Sequence, residues 1–143
     1  MLVLQGKEIR YFPSIVYGQI LAGPGTSKYE TVFTVSARKE TRATLQLFGD
    51  KGERIEANFV DVLGKSANTG QSFEFFMTSE RPVIIRLTLM PDQITNDVAV
   101  MSGWATFESS DDIDVMAVVR ITTPDGKLIN RYVISPERPG IGN

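Results

Sequence analysis

Cysteine and histidine are both missing from the 143 residues of this chain. Without Cys there is no thiol nucleophile, no disulfide and no thiolate ligand. Without His there is no imidazole base, so every His-dependent triad and every Cys/His zinc site is excluded. An excess of one charge is missing too. Fifteen Lys and Arg stand against 17 Asp and Glu, a net −2, which gives no basic field for nucleic acid. Long apolar runs are absent. Met1, Leu2, Val3 and Leu4 fall far short of a signal-peptide core or a spanning helix, so the chain reads as soluble, with no signal peptide and no membrane insertion. The lack of Cys is compatible with either redox compartment.

What is present is ordinary globular material, 42% hydrophobic and 22% charged, at a length that fits one domain. The dominant period is two. Tyr29, Thr31, Phe33 and Val35 alternate with Glu30, Val32, Thr34 and Ser36, and Ala43, Leu45 and Leu47 alternate with Thr44 and Gln46. Short alternating runs rich in β-branched and aromatic residues are the signature of strands. Residues 11–17, 55–59, 73–77, 83–90, 98–107, 113–122 and 128–134 continue the series. Pro13 confines the first of them to an edge or an irregular start. Turn residues separate the runs: Gly49-Asp50-Lys51-Gly52 and Pro124-Asp125-Gly126 read as hairpins, and residues 22–27 and 62–71 as loops. Residues 90–98 have room for a single helical turn.

Strands at this spacing with no alternating helices predict an all-β fold. The expectation is an antiparallel β-sandwich, Ig-like in architecture, with about seven to nine strands. It is one domain over residues 1–136, followed by a Pro/Gly-rich tail at 137–143. The residues expected inside are Phe33, Val35, Leu45, Leu47, Phe75, Ile85, Leu87, Trp104, Val115 and Val119. Trp104, the only Trp, is placed there because its burial removes so much apolar area from water. Gly103 beside it marks a bulge or a close approach of backbones.

Four features were weighed for chemistry. Gly18 and Gly23 have the glycine spacing of a phosphate-binding loop, but no Lys-Ser/Thr follows and no helix opens there. Asp111, Asp112 and Asp114, with Glu108 nearby, offer hard oxygen ligands for calcium; the competing reading is a charged turn that keeps a hairpin end soluble. Arg38, Lys39 and Arg42 form a basic patch with no adjoining aromatic, which suits a solvated turn better than nucleic acid. Trp104, if exposed, would stack on a sugar ring. For catalysis two carboxylates suffice, but nothing singles out a pair. No catalytic, cofactor or metal residue is assigned, no cofactor is expected, and the chain reads as a non-enzyme.

The order of features is also familiar. Phe12-Pro13 comes first, then Gly18, the strand 30–35, the strand 43–48 with Asp50-Lys51-Gly52, and Gly103-Trp104-Ala105 ahead of the strand 113–120. This resembles an uncharacterised β-sandwich domain, often repeated, of large secreted or surface-exposed bacterial proteins. The resemblance spans about residues 11–136. It departs where a glycine-rich run usually follows the Phe-Pro strand, since residues 18–23 here read Gly-Gln-Ile-Leu-Ala-Gly. It implies an extracellular or cell-surface module without catalytic residues. The function expected is structural or adhesive, through protein–protein contacts; the alternative is glycan binding.

Residues 1–5 are expected to fold back as an edge strand, which the short tether favours; the alternative is that they add to the sheet edge of a neighbour, a strand exchange that leads to self-association. Residues 1–65 carry nine basic and seven acidic groups and residues 66–143 six and ten, a polarity of +2 against −4 that suits head-to-tail packing.

Overall fold

Inward and outward positions alternate along every long strand, which is the physical origin of the fold. In β2 (Ser27–Ala37) residues 31, 33, 35 and 37 are buried, and in β3 (Thr41–Gly49) every odd residue is. The computed structural model describes residues 8–21 and 26–136. Within them lie ten strands: β1 (Glu8–Ile20), β2, β3, β4 (Ala57–Asp61), β5 (Ser66–Gly70), β6 (Ser72–Met77), β7 (Val83–Thr88), β8 (Val98–Ser109), β9 (Ile113–Thr122) and β10 (Leu128–Ile134). The only helical element among the described residues is a single 3-10 turn at Pro91–Gln93.

All pairings are antiparallel and all ten strands belong to one sheet. The path runs β5-β4-β7-β2-β1-β8-β3-β6, and β9, carrying β10, pairs with the second edge of β2. Strand β2 is the fork. One edge holds β9 along residues 28–37; the other holds the end of β1 at 27–29 and then β7 at 31–35. Beyond the fork β1 leaves β2, while its other edge stays paired with β8 from residue 8 to residue 20.

The sheet curls round one apolar cluster and is nearly a barrel. Phe12 of β1, Phe33 of β2 and Phe107 of β8 meet edge to face at 5.0–5.7 Å, and Phe75 of β6 joins them. Phe59 of β4 stacks on Phe73 of β6 at 5.7 Å, although these strands lie towards opposite ends of the path. Each fully buried Phe stabilises the fold by roughly 1.5–3 kcal/mol.

Polar stitches support the closure. Buried Arg10 donates to the Ile113 carbonyl at 2.8 and 3.1 Å and to Asp112 at 2.6 Å, tying the start of β1 to the start of β9. The Tyr17 hydroxyl donates to the Glu56 carbonyl, which also receives Gln93 Nε2 at 2.8 Å. Burial first, and the Glu56 carboxylate second, push the Tyr17 phenol above its usual range.

Each of the nine expected runs overlaps an observed strand. The differences are specific. The expected count is exceeded by β5, which the sequence reading placed in a loop. Residues 49–52 make the expected hairpin turn but a very short one, closed by the antiparallel Phe48–Arg54 bridge and by backbone bonds from Gly49 to Glu53 and from Ile55 to Leu47, after which the chain crosses to the β4 side. Pro13 and Ser14 form a bulge opposite Trp104, so β1 runs on past the proline. Gly103 is a close approach as expected: a Cβ there would overlap the Phe48 carbonyl. Of the ten expected core residues, Phe33, Val35, Leu45, Leu47, Phe75, Ile85, Leu87 and Val119 are buried. Val115 is only partly buried and packs against the cluster. Trp104 is a correction, because it points outward and is half-buried. The segments 1–5 and 137–143 lie outside the described residues.

Candidate functional site

The four sequence features separate in space. Gly18 lies in β1 pressed against the Ala99 carbonyl, at the rim of an open cleft of about 200 Å³ shared with Lys28, Tyr29 and Ile94; Gly23 lies outside the described residues. The acidic group is divided. Asp112 meets Arg10, Asp111 meets Lys39 at 3.2 Å, Asp114 pairs across strands with Ser36, and Glu108 accepts from Gln46. Among the described residues no three Asp or Glu side chains are placed to hold a metal ion. Of the basic patch, Lys39 is used in that ion pair, and the backbone N–H and carbonyl of Arg42 bond Ser110, leaving a turn and strand start braced by the neighbouring loop.

Trp104 is part of an aromatic ladder on the outer face of β1, β8 and β3. Phe48 stacks on it at 4.2 Å and 14°, Tyr11 lies against it at 5.9 Å, and Arg54 covers Phe48 at 5.0 Å. Because β8 runs between β1 and β3, Tyr11 and Phe48 take opposite sides of the indole. Within the ladder Phe48 and Trp104 cover one face of each other, Arg54 lies over Phe48, and Tyr11 is tilted at 42° to the indole.

A different region stands open. Among the described residues strand β10 pairs with β9 alone, through a turn in which Gly126 adopts φ +94° and donates to the Thr123 carbonyl. The Thr123 hydroxyl also donates to the Asp125 carboxylate, holding that carboxyl below its usual range. Six of the seven residues of β10 are exposed, on both faces of the strand. Four of them are large and apolar: Leu128, Ile129, Tyr132 and Val133, the last with 66% of its surface in water. A strand with this content normally has a neighbour, since exposed backbone groups and apolar side chains together make a pairing template.

The outer face beside this edge is built in rows across the strands. One row is apolar around a central arginine: Val60, Arg86, Val32, Val118, Val133 from β4 to β10. The next is charged. Glu30 of β2 lies opposite Arg120 of β9, and Arg120 lies opposite Arg131 of β10. The Glu30 carboxylate reaches Arg120 at 3.8 Å and Arg86 at 3.5 Å, so one anion serves two guanidinium groups. Arg131, at the end of the row, has no carboxylate partner among the described residues.

Sequence reasoning missed this site. Periodicity gives β10 as a strand but not that, among the described residues, β9 is its one paired neighbour, and Glu30 and Arg120 meet only through the β2–β9 register. Comparison of the chain with protein-family models, curated proteins and solved structures returns no match, and nothing there bears on the resemblance to the repeated surface domain.

Proposed function

We propose that this chain is a non-enzymatic interaction module, a β-sandwich of Ig-like architecture, that holds a partner protein by strand addition at β10. The observation that carries the reading is that edge: a strand apolar and exposed on both faces that, among the described residues, pairs with β9 alone, its Arg131 N–H being met only by the neighbouring Asn130 side chain. The sandwich description rests on the way the sheet divides at β2 into a β5-β4-β7-β2-β9-β10 part and a β1-β8-β3-β6 part, facing each other across the phenylalanines. An extracellular or cell-surface setting follows from the family resemblance alone.

Glycan binding is the second reading. The half-exposed Trp104 and its companions Tyr11 and Phe48 favour it. The mutual covering of the rings weighs against it, because a sugar needs a free ring face.

Selection of displayed seven-residue peptides against the folded chain tests the proposal. Selected peptides are expected to cross-link to residues 128–134 and to lose binding in Val133→Pro. Peptides that map elsewhere, or a glycan that changes Trp104 fluorescence at micromolar concentration, would replace it.

A further inference from the structure

The charged row beside β10 specifies what kind of strand the edge accepts. We infer that the partner is an extended segment carrying a carboxylate that lies opposite Arg131, with an apolar residue two positions along it opposite Val133. The inference rests on the proposed strand addition and adds its chemistry.

The reasoning starts from the like-charge contact. Arg120 and Arg131 are directly opposed across β9 and β10 on the outer face. Like charges in that position destabilise a sheet. Glu30 relieves Arg120 from the β2 side, but it also serves Arg86, and Lys28 lies on the same outer face one alternate position along β2. Among the described residues four cations therefore face one carboxylate. Charges of the adjoining elements do not change this: Asp114 lies at the far end of β9 opposite Ser36, and Asp125 and Lys127 sit together in the β9–β10 turn.

A strand added to β10 extends each row by one residue. In the charged row its residue sits opposite Arg131, and a carboxylate there completes the sequence anion, cation, cation, anion. In the apolar row its residue sits opposite Val133. On the opposite face its intervening residues meet Tyr132 and Asn130. The pattern read off the edge is a carboxylate and an apolar residue two positions apart, facing Arg131 and Val133; Ile129 lies where the β9–β10 register shifts and belongs to no row. Arg131 has a second consequence. It discourages β10 from pairing with a copy of itself, because β10 contains no acid and a two-fold axis would bring two arginine rows together.

The test uses the full chain, labelled for NMR, with the peptide Thr-Val-Thr-Glu-Thr-Val-Thr, its termini blocked, and the same peptide with Lys in place of Glu. The Glu peptide is expected to shift the amide signals of residues 128–134 and to bind about fivefold or more tightly than the Lys peptide. In Arg131→Glu the preference should invert, and the spectrum away from β10 should stay unchanged because the side chain is exposed. Equal binding of both peptides at β10 would overturn the acidic specificity while leaving strand addition standing. Shifts confined to other strands, or none with either peptide, would overturn both. A short heparin fragment that shifts the Arg86 and Arg120 signals more strongly than the Glu peptide would assign the cations to a polyanion instead.

Discussion

The Thr31 hydroxyl makes two hydrogen bonds to the backbone of Val16: it accepts from the amide at 3.0 Å and donates to the carbonyl at 2.7 Å. This side chain takes the place of a strand. At residues 18–20 strand β1 still pairs with β2 through backbone groups, and at Thr31 the backbone of β2 has changed partner to Leu87 of β7. Val16 has already turned away and would be left with both groups unpaired. A β-branched residue suits a strand, and its hydroxyl here fills the gap of the fork.

Replacing that hydroxyl tests the account. Thr31→Val keeps the shape and removes both bonds in a fully buried position. The expected loss is about 2–4 kcal/mol, read as a drop in the urea midpoint, since each orphaned buried group costs roughly 1–3 kcal/mol. Thr31→Ser keeps the hydroxyl and loses a methyl, so a loss near 1 kcal/mol is expected. Equal losses would mean that packing, not the double bond to Val16, holds the fork.

The Arg10 clamp predicts an asymmetry between two partners. Arg10 is buried and satisfies the Ile113 carbonyl, whereas Asp112 is largely in water. Arg10→Leu should cost about 1–3 kcal/mol by orphaning that carbonyl. Asp112→Asn should cost less than about 1 kcal/mol, as for other solvent-screened pairs. Chemical denaturation of the two variants side by side is sufficient.

Tyr17 predicts an alkaline limit to stability. Its folded pKa is raised, so the folded state holds the phenolic proton more tightly than the unfolded chain does. That stabilisation is fully present below about pH 10, where an unfolded tyrosine begins to ionise, and is lost as pH rises beyond it. Absorbance titration at alkaline pH should show one of the four tyrosines ionising only with unfolding. Tyr17→Phe should abolish that late step, at a neutral-pH cost of about 0.5–1.5 kcal/mol, because Gln93 still serves the Glu56 carbonyl.

Much of this molecule is written locally, and the exceptions share a cause. Alternation placed nine strands and eight of ten core residues. The same alternation put Trp104 on the side of Val98 and Val100, both exposed, and opposite buried Ala105 and Phe107. At Trp104 parity outweighs size, and the stack with Phe48 shows how a large ring is sheltered outside the core. Strand β5, Ser-Ala-Asn-Thr-Gly, has no apolar alternation because it is an exposed edge, and only its pairing with β4 makes it a strand. The charged row needs contacts between residues 30, 120 and 131, which no local pattern encodes.

The last prediction concerns assembly. Val133 and Ile129 expose 66% and 55% of their surface on a strand that, among the described residues, has no second strand partner, which ordinarily invites association. Arg131 stands between them and opposes it, because pairing β10 with itself gathers arginines and supplies no acid. Residues 1–5, Met-Leu-Val-Leu-Gln, also contain no acid and do not match the charged row. The full chain and a chain lacking residues 1–5 are therefore both expected to keep a monomer mass by light scattering as concentration rises. Arg131→Thr should behave differently, with a mass that climbs with concentration while its urea midpoint stays within about 0.5 kcal/mol of the parent, as for an exposed substitution. If the full chain associates and the shortened chain does not, strand exchange through residues 1–5 is the stronger contact and Arg131 is not the gatekeeper. If Arg131→Thr stays monomeric at every concentration, the edge is protected by something other than charge.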